Sequence, residues 1–159
     1  MEQVEYSYIN NGGIMKTKLW LKYLIYIVLI SFLIFVRSYV GNLFTAYFKR
    51  EFQYNYFYVV IITLLGVCIG VLLGIEHFIK ERSNEGTWNI NMPKLILVGL
   101  PSLYLAITNI LIYSKIDFFH TLAYPLLYLL KLGSSYVILF QLILGFVIIT
   151  SFNKSDMKV

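Results

Sequence analysis

The feature that most constrains this chain is an uncharged run, Phe52 to Ile75, whose second half reads Gly66-Val-Cys-Ile-Gly70-Val-Leu-Leu-Gly74. Glycines that recur every four residues fall on one face of a helix and leave that face bare. In water such a helix is poor, because each interior Gly costs about 1 kcal/mol relative to Ala. In a bilayer the cost is tolerable, and a bare ridge of this glycine-zipper type lets a second helix approach closely. The run therefore reads as a membrane helix whose packing face is Gly66, Gly70 and Gly74.

The rest of the chain agrees with a membrane setting. Of its 159 residues 59% are hydrophobic and 13% charged, with a mean hydropathy of +0.74, whereas about a quarter of a soluble domain is charged. This is the composition of a multi-pass integral membrane protein, and its apolar runs leave no room for a soluble catalytic domain. The formal charge is +5, but the 13 Lys and Arg are scattered at the ends of apolar runs. That distribution suits anionic lipid and topology signals and argues against nucleic acid as a partner. A single cysteine, Cys68, excludes an intrachain disulfide and a Cys-based metal site. Lying within the glycine run, it reads as a buried, inert thiol. The abundance of Ile, Tyr, Phe, Lys and Asn points to an AT-rich bacterial genome.

Taken in order, residues 1–18 read as a polar, disordered tail, 19–152 as one four-helix transmembrane domain and 153–159 as a short cytoplasmic tail. The first span is Leu19 to Val36, closed by Arg37; Ser38 to Phe48 then either extends that helix beyond the hydrocarbon or lies in the interface. The second span, Phe57 to Ile75, opens on the aromatic cluster Tyr54, Tyr56, Phe57 and Tyr58, as expected at headgroup level. A turn follows, with Trp88 as an interfacial anchor and Pro93 suited to the first turn of the next helix. The third span, Leu95 to Ser114, is uncharged over 20 residues, about 30 Å of helix, and contains Pro101, which leaves carbonyls near Leu97 unpaired. Phe118 to Leu130, with Pro125 inside, is too short to cross and reads as an interfacial or re-entrant half-helix. The fourth span runs from about Gly133 to Phe152. The predicted fold class is thus all-α, a polytopic membrane protein of four transmembrane helices with a half-helix before the last. Eight Lys and Arg on one side against five on the other place both termini in the cytoplasm.

Gly99, Ser102 and Ala106 form a second small-residue face on the third span, and the short loop between spans two and three makes it the expected partner of the glycine ridge. Polar residues within spans point to function because each needs a partner away from lipid. Glu76, His77, Asn109 and Gln141, with Pro101, are the candidates for a polar path. Their plainer readings are hydrated headgroup-level side chains for Glu76 and His77, with Glu76 paired to Lys80, and packing glue for Asn109 and Gln141, bonded to each other or to a neighbouring backbone. Asp117 and His120 share a helix face, but two ligands fall short of a zinc site. There is no H-E-x-x-H, no G-x-S-x-G, no Walker loop and no carboxylate pair within a span. No catalytic, cofactor or metal site is therefore expected. The small multidrug transporters, also of four spans, would need a carboxylate inside the first span, and Leu19 to Val36 has none.

Two segments, Trp88-Asn-Ile-Asn-Met-Pro-Lys-Leu-Ile-Leu-Val-Gly-Leu-Pro-Ser-Leu103 and Gly145-Phe-Val-Ile-Ile-Thr-Ser-Phe152, resemble parts of small, uncharacterised four-span membrane proteins of low-GC Gram-positive bacteria. The resemblance implies no activity. The expected role is non-enzymatic: a small cell-membrane protein that packs with itself or with another membrane protein through the glycine ridge. The alternative is a transporter or channel component with a path lined by polar residues of spans three and four. Gly12-Gly13-Ile14-Met15 also spells a translated ribosome-binding sequence and start codon. If Met15 is the initiator, the intact mass of the native protein lacks the first 14 residues; a mass that includes them rules this out.

Overall fold

The structure is a computed structural model that describes the backbone of residues 2–114, 116–130 and 135–155, and side chains within 20–114, 116–119, 121–128 and 136–154. The described residues are helical apart from short turns and one two-stranded ribbon. Helix α1 spans Glu2–Glu51 and α2 spans Tyr56–Ser83. Strand β1 covers Thr87–Ile90, and helical turn α3, Met92–Lys94, leads through a π-helical stretch, Leu95–Gly99, into α4, Leu100–Ala106. Helices α5, Thr108–Ile112, α6, Asp117–Leu130, and α7, Ser135–Thr150, precede strand β2, Phe152–Ser155.

Two of these helices, over Trp20–Glu51 and Tyr56–Ser83, are long and apolar enough to cross a membrane; Met92–Ala106 and Tyr136–Thr150 are apolar but shorter. The first differs from expectation at its start, since it begins at Glu2, through the residues read as a disordered tail; past Arg37 it runs on to Glu51, the helical extension that is one of the two readings of Ser38 to Phe48. No proline interrupts residues 2–51, and once nucleated a helix propagates at little cost per residue. The chain turns at Phe52, in the left-handed region at φ 53°, and α2 starts behind Asn55, whose Oδ1 accepts from the Phe57 N–H at 3.0 Å.

Helices α1 and α2 are antiparallel and in step. Lys22 meets Glu76 at one end and Arg37 reaches the Ile62 carbonyl, with fifteen residues between the first members and fourteen between the second. Beyond them Phe44 and Phe48 stack with Tyr54, which meets Tyr113 at a ring distance of 4.4 Å. Of the aromatic cluster expected at the start of the second span, Tyr54 thus joins rings from three segments and Tyr58 meets Tyr47 of α1, while Tyr56 and Phe57 are exposed.

The glycine ridge makes a contact too close for any side chain, but its partner is α7 and not the third apolar helix. A Cβ at Gly66 would strike the Gln141 side chain, one at Gly70 the Leu142 backbone, and one at Gly74 the Ile149 side chain. Gly145 answers from α7, since its Cβ would strike the α2 backbone at Val67 and Val71. The two helices run parallel. The face Gly99, Ser102 and Ala106 lies on the other side of α7, with Val147 in ordinary contact distance of a Cβ at Gly99; Ser102 and Ala106 are buried. Both small-residue faces therefore grip the same helix. Cys68, read as buried, is exposed, because two residues from Gly66 is about 200° around the helix and away from the ridge.

Pro101 is accommodated without an orphaned turn. The preceding residues open into a π-helix in which the Leu100 N–H bonds the Leu95 carbonyl, and the wider turn takes up the missing donor and the ring. The helix breaks again at Ile107 (φ −87°, ψ 6°), where Thr108 Oγ1 donates back to the Leu105 carbonyl at 2.7 Å. The expected single third span is therefore segmented. Helix α6, the expected half-helix, packs on α5, with Leu111, Ala123 and Leu126 as a small core.

The expected loop and tail around the second and last helices pair with each other. Thr87–Ile90 lies antiparallel to Phe152–Ser155, with Trp88 opposite Lys154. Lys154 Nζ donates to the Arg82 and Asn84 carbonyls, and Lys94 Nζ to Thr150 Oγ1 at 2.7 Å and its carbonyl at 3.1 Å. Two lysines thus cap the ends of α2 and α7. The glycine contacts predict that Gly70→Ala and Gly145→Ala each lower stability by about 1–3 kcal/mol through overpacking. Gly41, with nothing within 4 Å of an added Cβ, should tolerate Ala or gain up to about 1 kcal/mol from helix propensity. Thermal unfolding in mild detergent ranks the three.

Candidate functional site

The most unusual chemistry in the chain centres on Arg37. Its guanidinium sits between α1, α2 and α7, where Nε donates to the Ile62 carbonyl at 3.3 Å and Nη2 to Gln141 Oε1 at 3.1 Å. Gln141 is fully buried, and its Nε2 donates to the Ala106 carbonyl at 3.3 Å. The cation on one side and the carbonyl on the other fix which end of the amide is oxygen. One side chain of α7 therefore ties α1 to α4.

Each partner is placed by local structure. Gly66 has no side chain, so the Gln141 amide occupies the space a Cβ would need. Ala106 is the last residue of α4 before the break at Ile107, and carbonyls at a helix end want an external donor. Arg37 lies fifteen residues from Lys22 and seven from Phe44, about 22 Å and 10 Å along the helix axis. It is thus well inside the apolar stretch that the sequence reading ended at this residue.

Both observed acceptors of Arg37 are neutral. The eight carboxylates of the side chains are Glu2, Glu5, Glu51, Glu76, Glu81, Glu85, Asp117 and Asp156; none lies within an apolar run. The described ion pairs are Lys22 with Glu76 at 3.2 Å and Arg50 with Glu51. Beside the guanidinium is an open groove of about 440 Å³, walled by Ile34, Ser38 and Gly41 of α1, Ile62 of α2 and Leu142 of α7. Two of the five guanidinium donors are used by the observed bonds; Arg37 is half-buried and itself lines the groove, whose other walls are mostly apolar.

The residues proposed as a polar path are not brought together. Glu76 bonds Lys22 Nζ and Tyr23 Oη and not its i+4 neighbour Lys80; it lies ten residues, about 15 Å, beyond Gly66 and Gln141. His77 Nε2 meets Asn153 Oδ1 at 2.9 Å, in the polar end formed with the β ribbon. Pro101 is exposed, and Asn109 is half-buried on α5. Of the two kinds of partner expected for these amides, Gln141 takes a neighbouring backbone, the Ala106 carbonyl, and not Asn109, with Arg37 on its oxygen. The His120 side chain lies outside the described residues, so its pairing with Asp117 does too. Among the described residues no three His, Cys, Asp or Glu side chains converge as metal ligands.

Arg37 is the residue sequence reasoning missed. Its signal was the unbroken helical sequence on both sides, which makes a lone cation an interior residue and not a boundary. Comparison with protein-family models, with curated proteins and with solved structures finds no match. The geometry predicts that Gln141→Leu lowers stability by about 1–3 kcal/mol, since it strands a buried donor and an acceptor. In a double-mutant cycle with Arg37→Leu, thermal unfolding should reveal a coupling of about 0.5–3 kcal/mol; strictly additive losses would mean that the pair does not act as a unit.

Proposed function

We propose that the chain is a small integral protein of the cytoplasmic membrane with four spans and both termini in the cytoplasm, acting as an interaction subunit of a larger membrane complex. Its role on this reading is non-enzymatic. Alternating helix directions support the topology: α1 and α2 are antiparallel, α2 and α7 parallel, and the helix leading from Asn91 to Ala106 antiparallel to α7. With Arg37 inside a helix, the Lys and Arg count becomes eight against four, with Lys49, Arg50, Lys115 and Lys131 on the minor side.

The observation that carries the interaction role is Arg37, a cation on neutral acceptors beside an open groove. Ionisable groups inside a membrane are costly and mark functional contacts by default. The glycine ridge no longer supports self-association, because α7 covers it within one chain. The interacting element is α1 instead, whose most apolar window has no buried residues against 33% for α2. A transport path through spans three and four has less support, because Gln141 is closed in by three helices and Glu76 stands about 15 Å away.

Photo-crosslinkers placed at Leu43 and at Leu64, in native membranes, test this reading. Both residues are exposed, one on α1 and one on α2. Crosslinks to another membrane protein from Leu43, with a matching larger species by native mass analysis in mild detergent, are expected. A strictly monomeric protein with no protein crosslinks from either position would overturn it.

A further inference from the structure

We infer that the groove beside Arg37 receives a transmembrane helix of another protein that carries an Asp or Glu within its apolar span, with the carboxylate bonded to the free side of the guanidinium. The inference rests on the interaction reading above and names the chemistry of the partner.

Three observations lead to it. The first is charge. Arg37 is held by a backbone carbonyl and an amide oxygen, both neutral, and a guanidinium in an apolar setting is best satisfied by a carboxylate in bidentate geometry. The second is the shape of α1 on this side. Ser38, Gly41, Asn42 and Thr45 follow Arg37 at helical spacing, Ser38, Asn42 and Thr45 are exposed, and an added Cβ at Gly41 would meet nothing within 4 Å. Small and polar residues in such a row let a helix backbone come close and bond across the contact. The third is what the chain itself lacks. No carboxylate lies in any apolar run, so neither this chain nor a second copy supplies the counter-charge at that depth. Two copies docked through this face would set one Arg37 near the other.

A lipid phosphate is the competing anion. Arg37 sits about 10 Å along the helix from the Phe44–Tyr54 aromatic plug. Its side chain is tied sideways to α2 and α7 and does not extend toward that end. A carboxylate presented at the same depth by a neighbouring helix meets it without moving either tether.

The test uses the full chain, fluorescently labelled, in phosphatidylcholine vesicles with a synthetic Leu/Ala transmembrane peptide bearing one central Asp, Asn or Leu. Energy transfer should report association at least tenfold tighter for the Asp peptide than for the Asn or Leu peptide. Arg37→Gln should reduce the Asp peptide to the level of the Leu peptide, and Arg37→Lys should retain part of the preference. Gly41→Leu fills the groove while leaving both Arg37 tethers in place. It should also abolish the preference with the thermal melt unchanged, and it carries the test if Arg37→Gln fails to fold.

Equal binding of the three peptides, or a preference that survives both Arg37→Gln and Gly41→Leu, overturns the inference. So does Arg37-dependent retention of phosphatidylglycerol by native mass analysis together with loss of the Asp preference in vesicles of that lipid, which would assign the site to a headgroup. Self-association that depends on Arg37 and matches the Asp-peptide signal overturns it in favour of a second copy. If the peptides fail to discriminate while crosslinks from Leu43 persist in native membranes, only the carboxylate partner is lost; if both fail, the interaction reading falls with it.

Discussion

The close approach of α2 and α7 is the contact on which the other helices depend. Gly66 and Gly70 on one helix and Gly145 on the other bring the backbones to a separation that no side chain at these positions would allow. That separation sets Gln141 over Gly66, and from there the amide reaches Arg37 on α1 and the Ala106 carbonyl on α4. A packing constraint thus becomes a polar junction. Without bare glycine at position 66 the amide would be displaced, and α1 would lose its interior anchor.

The junction also explains how an arginine is tolerated within a long apolar helix. Placing a lone Arg at the centre of a membrane helix costs about 2.5–3.5 kcal/mol on insertion scales. Hydrogen bonds to charged groups return about 1.5–3 kcal/mol each, so two neutral acceptors offset much of the cost while leaving the positive charge in place. A structural role alone would be met as well by a neutral donor. A full charge retained beside an open groove is what supports the proposed interaction role.

Periodicity and length carried much of the architecture. The ridge at Gly66, Gly70 and Gly74, Pro93 in the first turn of its helix, the aromatic cluster around Tyr54 and the half-helix before the last element all follow from local pattern, and the structure contains each of them. What local pattern lacks is pairing. Loop length favoured the third apolar segment as the neighbour of the ridge; α7 took the place because Gly145 offers a matching gap that side-chain spacing alone does not rank. The ribbon of Thr87–Ile90 with Phe152–Ser155 joins segments some sixty residues apart and has no short-range signal. The break at Ile107 involves neither Gly nor Pro, only a threonine hydroxyl competing for a carbonyl. Arg37 was misplaced because a single charge between two apolar runs has two readings, boundary or interior, and periodicity does not choose between them.

The attachment of α1 follows from the same geometry. Its described contacts fall at three levels: Lys22 and Tyr23 on Glu76, Arg37 on Ile62 and Gln141, and Phe44 with Phe48 on Tyr54. Between the second and third levels the groove leaves Ser38 and Gly41 open. An element held at a few points, with few buried apolar contacts, belongs to the low-stability end of a fold. The tight α2–α7 core is therefore the frame of the fold, and α1 is joined to the centre of that frame through the one charge of Arg37.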